Sequence, residues 1–168
     1  MAVLVKRGWR PGLIGEVVTA QALYYAREWG FGLVFETKVA REMAAFLDRY
    51  DPKLDRLFSV EDQGRLLGSL AIDGGDPDLP AAEAHLRWFI LTDAARGHGI
   101  GRLLMSEAMS FLTETGFRSC HLTTFAGLTP ARRLYEAAGF TLVGEQESLT
   151  WGKKVVEQRF VVDLRAGA

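Results

Sequence analysis

The sequence predicts an α+β fold, a mixed and largely antiparallel central sheet flanked by helices, and three observations predict it. Between residues 3 and 50, and again between 85 and 140, strand-like runs alternate with helical stripes. The stretches 57–72 and 140–164 instead hold paired runs close enough to be antiparallel hairpins. Finally, 168 residues that are 48% hydrophobic and 24% charged can bury a core without staples, as one globular unit.

Taken in order, residues 3–6 are a β-branched run that Trp9, Arg10, Pro11 and Gly12 break with turn chemistry. Over 13–29 apolar residues fall at Ile14, Val17, Val18, Leu23, Tyr24 and Ala26, a helical stripe that Gly30 closes. A second helix over 35–50 places Val39, Met43, Phe46 and Leu47 on one face and Arg41, Glu42 and Arg49 on the other, and Pro52 stops it. Runs at 57–60 and 66–72 flank Asp62, Gln63 and Gly64 as a hairpin; 74–80 is a loop. A strand at 85–91 enters a glycine-rich turn, and a helix over 102–115 follows, with Leu103, Leu104, Ala108, Phe111 and Leu112 in one stripe and Gly116 at its end. Residues 118–125 alternate as a strand, Thr129 caps and Pro130 opens a short helix that Gly139 ends, and 140–143 and 154–164 form a last hairpin around Trp151 and Gly152. Nothing in 1–168 reads as a repeat or linker, so a single domain is expected.

Charge excludes some functions. Twenty basic against 21 acidic residues leave −1, so no nucleic-acid or membrane partner is expected. The lone Cys120, with no leader-like or long apolar run, predicts a reducing cytoplasm; Cys120 alternates with apolar neighbours and reads as buried filler. No metal is expected.

The chemistry concentrates at Arg96, Gly97, His98, Gly99, Ile100 and Gly101. Alternate glycines strip side chains from a turn, and the helix that follows offers unpaired N–H groups and the positive end of its dipole, a cradle for a diphosphate flanked by Arg96 and Arg102. The spacing is not that of a dinucleotide turn, because Arg102 stands where the last glycine belongs, nor that of a nucleotide-hydrolase loop, because Gly101 is not followed by lysine and a hydroxyl. An ordinary tight strand-to-helix turn is the alternative.

The pattern resembles the acyl-coenzyme A signature of the GNAT family of N-acetyltransferases, Q/R-x-x-G-x-G/A. Residues 129–140, with Leu134, Tyr135, Gly139 and Phe140, resemble the same family's second signature, L-Y-x-x-x-G-F. The order of elements also resembles that fold, in which the fourth and fifth strands splay and admit the pantetheine arm. The resemblance implies acetyl-CoA as cosubstrate and an amine as acceptor. It implies that Phe89, Ile90 and Leu91 hold the arm through their backbone, that residues 96–102 (Arg96, Gly97, His98, Gly99, Ile100, Gly101, Arg102) hold the pyrophosphate, and that the Tyr135 hydroxyl approaches the sulfur. Glu83 and His85, at the start of the strand, are the candidate bases. Where the first two helices meet, Tyr25, Glu28, Trp29, Phe35 and Glu36 would wall an acceptor site suited to a cation. His98 reads as a surface or phosphate contact and His121 as structural. Two positions depart from the family: Asp93 replaces a frequent proline, and Leu128 replaces a frequent asparagine that supports the arm. The motif region also resembles the acetyltransferase half of MarR-type regulator fusions. A homodimer is left open. So are a non-catalytic acyl-CoA sensor and an unrelated phosphate-binding protein.

Overall fold

The computed structural model describes residues 2–165. In chain order these form β1 (Leu4–Arg7), α1 (Leu13–Trp29), α2 (Leu33–Asp48), β2 (Arg56–Asp62), β3 (Arg65–Asp73), β4 (Glu83–Leu91), a 3₁₀ turn (Asp93–Ala95), α3 (Ile100–Thr115), β5 (Ser119–Phe125), α4 (Thr129–Ala137), β6 (Thr141–Ser148) and β7 (Val155–Asp163). One seven-stranded sheet runs β1-β2-β3-β4-β5-β7-β6. Every neighbour is antiparallel except the central pair β4–β5, which is parallel. The expected α+β architecture, mixed and largely antiparallel with flanking helices, is the one observed.

Cores lie on both faces. On one, Leu104, Ala108 and Leu112 of α3 pack with Tyr135 of α4 against Leu70, Leu86, Leu122 and Phe160 of the sheet. On the other, Leu13, Val17, Met43 and Phe46 of α1 and α2 cover Leu57, Ala71 and Ile90. The expected α1 stripe is displaced in phase: Leu13, Val17, Gln21 and Tyr25 face inward, while Leu23 is 64% exposed. The last hairpin is longer than expected, because β6 continues to Ser148 and is exposed along nearly its whole length. A strand open to solvent on both faces has no alternation to reveal it, and only its backbone ladder to β7 defines it.

The decisive irregularity is in β4. Ser69 pairs with Ile90 but Ala71 pairs with Arg87, so β4 carries an extra residue, and Trp88 there takes φ 51°. That bulge reverses the alternation: Ala84 and Leu86 before it, and Phe89 and Leu91 after it, all face the α3 side, whereas Trp88 and Ile90 face α1 and α2. It also turns β4 away from its parallel neighbour. The two strands pair only at Glu83↔Ser119, Ala84↔Cys120 and His85↔His121, and then part.

Among the described residues no helix is long and apolar enough to cross a membrane. Leu104 is fully buried between α3 and the centre of the sheet. Leu104→Ala is expected to lower the urea-measured stability by about 2–5 kcal/mol, the cost of lost burial plus a cavity.

Candidate active site

The parting of β4 and β5 opens a cavity of about 410 Å³ that reaches both faces of the sheet. Its walls come from β4 (His85 to Leu91), β5 (Leu122 to Phe125), the inward sides of α1 and α2, and the start of α4. Beyond His85 no strand among the described residues pairs with the β5-facing edge of β4, so the backbone of Phe89, Ile90 and Leu91 is available to an extended ligand.

The glycine turn abuts this gap. Gly97 and Gly99 have φ of 77° and 74°, and a β-carbon on either would meet nothing within 4 Å, so both are needed for conformation and both leave the surface bare. Gly99 is the N-cap of α3, which therefore begins at Ile100, two residues before the expected start. Leu103 N–H is the first to return into the helix, to the Gly99 carbonyl at 3.0 Å, so the N–H groups of Ile100, Gly101 and Arg102 precede any intrahelical acceptor. This fits a pyrophosphate. His98 contributes no free amide, because its N–H is spent on Ala95 at 3.3 Å; its side chain and that of Arg102 are exposed. Arg96 lies over the Tyr24 ring at 5.4 Å and lines the cavity mouth.

Gly101 corrects the expectation that all three glycines clear the ligand. Its β-carbon would lie 2.8 Å from Leu134 Cδ1 and 3.1 Å from Leu91 Cδ1, so it is a packing glycine that lets α3 approach α4 and β4. Thr129 is likewise not a cap: it is the first residue of α4, and the N-cap is Leu128, which has no side-chain acceptor to offer. Leu128 joins the aromatic cluster behind the cavity instead.

Tyr135 is buried among the rings of Phe89, Phe140 and Phe160, yet it lines the cavity, and its hydroxyl makes no hydrogen bond among the described residues. Burial raises its pKa well above the ordinary phenol value, so it is a proton donor and not a base at neutral pH. Tyr25 is raised the same way by burial and then by the charge that Tyr135 would carry, which puts both hydroxyls in one electrostatic neighbourhood.

The two candidate bases separate. His85 lines the cavity, and by alternation with Ala84 and Leu86 it faces the α1–α2 side, opposite Tyr135. Its ring stacks on that of His121 at 4.2 Å. Burial lowers both imidazoles, His121 to about 3, so both are neutral at pH 7. Glu83 lies at the paired end of the strand, opposite Ser119, and does not line the cavity.

Of the expected acceptor wall, Tyr25 and Phe35 line the cavity, whereas Glu28, Trp29 and Glu36 do not. Glu28 is exposed and pairs with Arg27 at 2.9 Å. Trp29 packs on Phe125 at the end of α1, with ring centroids 5.6 Å apart. Glu36 points outward, because the buried line of α2 runs through Phe35, Val39 and Met43. Two carboxylates do reach the cavity: Glu157, which accepts from Trp151 Nε1 at 2.7 Å, and Glu42, expected on the outer face, which pairs with Lys38 and, at 3.2 Å, with Arg87. Arg87 also holds the fully buried Asp73 at 3.0 Å, which Arg49 shares. The i,i+4 spacing of Lys38 and Glu42 was the available signal, but it is common on solvated helix faces.

Comparison with known proteins agrees with this geometry. The model of the acetyltransferase (GNAT) family matches residues 20–140. An uncharacterized N-acetyltransferase of Escherichia coli (strain K12), YjgM, is 34% identical over 104 residues, which is 54% of this chain and 60% of that relative, less than two thirds of its length. An uncharacterized N-acetyltransferase of Schizosaccharomyces pombe, C1271.07c, is 30% identical over 118 residues, 69% of each chain. The structure of yncA from Salmonella typhimurium, solved with its cofactor acetyl-CoA, superposes with a TM-score of 0.71 at 15% identity, over 98% of this chain and 95% of that one. At that identity the likeness shows the fold.

The depressed histidines have a stability consequence. Unfolded, His121 takes up a proton near pH 6.5; folded, it resists until about 3, so stability is expected to fall as pH drops through that window. The midpoint of urea unfolding should fall between pH 6.5 and 5, where carboxylates are still ionised, and His121→Gln should reduce that slope, leaving the share due to His85.

Proposed function

The chain belongs to the acetyltransferase (GNAT) family, and from that premise we propose that it transfers an acetyl group from acetyl-CoA directly to a small-molecule or protein amine. The observation that carries this reading is the gap between β4 and β5, which leaves an unpaired strand edge and a bare, N–H-rich glycine turn at one end of a single cavity. Gly97, Gly99 and the N–H groups of Ile100, Gly101 and Arg102 hold the pyrophosphate, and the backbone of Phe89, Ile90 and Leu91 holds the arm. Bound there, acetyl-CoA supplies a thioester carbonyl and a thiolate leaving group.

The residues of the cavity divide the proton work by face. On the α1–α2 side, His85, neutral at pH 7, takes a proton from the acceptor ammonium and frees its lone pair. On the α3–α4 side, Tyr135 donates its hydroxyl proton to the departing sulfur and recovers one from the acylated nitrogen. One proton leaves to solvent per amide formed. A neutral imidazole in the cavity favours this enzyme reading over an acyl-CoA sensor, which needs no base. The acceptor enters among Tyr25, Phe35 and Trp88, whose ring faces attract an ammonium group.

Gly99→Val forces a β-branched residue to positive φ at the N-cap and covers the bare turn. In calorimetry it is expected to weaken acetyl-CoA binding at least about tenfold, with circular dichroism intact. Gly101→Val, by contrast, should act first on stability, by about 1–3 kcal/mol of overpacking in a urea titration. Tyr135→Phe should lower kcat by roughly ten- to a thousandfold and leave acetyl-CoA affinity nearly unchanged. Thiol release over a panel of amines reads the activity; an unaltered kcat for the best acceptor reduces Tyr135 to packing.

A further inference from the structure

We infer that Asp76 is the positioning residue of the proton acceptor: its carboxylate holds His85 as the Nδ1–H tautomer, so that Nε2 presents a lone pair to the cavity. This rests on the acetyl-transfer reading of the site.

Asp76 belongs to the loop between β3 and β4 and was not among the candidate residues. Its Oδ1 accepts the Asp78 N–H at 2.9 Å, which fixes the carboxylate and leaves Oδ2 facing His85 Nδ1 at 3.5 Å. His85 Nδ1 is sealed from solvent and makes no well-formed hydrogen bond. A neutral imidazole has one N–H and one lone pair. Beside a carboxylate the N–H is attracted and the lone pair repelled, so the proton settles on Nδ1, and the long contact tightens when the ring gains charge. On the far side the His121 ring, registered opposite in β5, stacks at 4.2 Å with 21° between planes and confines the imidazole's tilt. Among the described residues these groups do not form a metal-binding cluster.

The charges around His85 come from every neighbouring element. Asp73 of β3 and Asp76 raise its proton affinity, and burial and Arg87 of β4 lower it. Arg49, just past the end of α2, shares Asp73, and Arg159 of β7 acts on His121. Burial wins and the ring is neutral at pH 7. In the step itself, an N–H bond of the acceptor ammonium breaks, its proton joins Nε2, and the nitrogen keeps the electron pair that forms the amide bond. The imidazolium so formed is paired with Asp76 until it returns the proton to solvent.

Asp76→Asn tests this without deleting the loop contact, since the amide oxygen still accepts from Asp78. Its NH₂ group now faces Nδ1, which favours a lone pair there and moves the proton to Nε2, the wrong tautomer for a base. Two-bond ¹⁵N–¹H NMR of ligand-free protein, with His85 assigned by its loss in His85→Gln, should show Nδ1–H in the wild type and Nε2–H in Asp76→Asn. Thiol release with acetyl-CoA over the amine panel should show kcat lowered by on the order of a hundredfold, with acetyl-CoA affinity in calorimetry unchanged. The acid limb of kcat/KM should move to lower pH, because a group that raises the His85 pKa has lost its charge. A packing role would lower activity without moving tautomer or limb, and that result overturns the inference, as does Nε2–H in the wild type. No thiol release by the wild type with any amine overturns the transfer reading and the base role with it; the tautomer measurement then still decides whether Asp76 grips His85.

Discussion

The cavity depends on one backbone irregularity, the bulge that puts Trp88 at positive φ in the middle of β4. A regular β4 would continue its parallel ladder with β5 to the end and close the sheet. With the extra residue, pairing stops at His85 and the two strands part, leaving an edge that no other strand among the described residues pairs with. Such an edge is costly unless something covers it, and here it borders the cavity. The conformation is held by packing rather than by local preference: Trp88 is wedged against Phe46 at 5.5 Å, and the Arg87 guanidinium lies over its ring at 4.1 Å.

The bulge has a second effect, on side-chain direction. By reversing the alternation it turns Phe89 and Leu91 to the α3 side and leaves Arg87 and Trp88 together on the α1–α2 side. The cavity therefore passes through the sheet and has two chemically different ends. One end is apolar and closed by Tyr135; the other carries His85, Arg87, Glu42 and Lys38. Buried Asp73 anchors that second end by accepting from Arg49, the C-cap of α2, and from Arg87 of β4, tying the helix that roofs the cavity to the strands that floor it.

Much of this was legible in the chain. Each helix and strand was anticipated within a few residues wherever one face is buried and the other wet, because that contrast writes itself as period 3.6 or period 2. The glycine turn and the Leu134–Tyr135 helix were legible for a different reason: each is a local motif, so its residues are neighbours in sequence. At a strand wet on both faces, and at an apolar residue beside a stripe, the reading fell short. β6 is wet on both sides and was cut short; Leu23 was placed inside because an apolar residue near a stripe is indistinguishable from one on it.

What the sequence by itself determined is the order and type of elements, the bare turn at Gly97 and Gly99, and the presence of Tyr135 on a short helix beside it. What only the tertiary structure decided is which side chains meet. Glu28 and Glu36 carry the expected charge but lie on outward helix faces, whereas Glu42, Arg87 and Asp76, from a helix, a strand and a loop, reach the cavity or His85. That selection follows from the phase of α1 and α2 against the sheet and from the position of one bulge. Both are set by long-range packing, which adjacent residues do not encode.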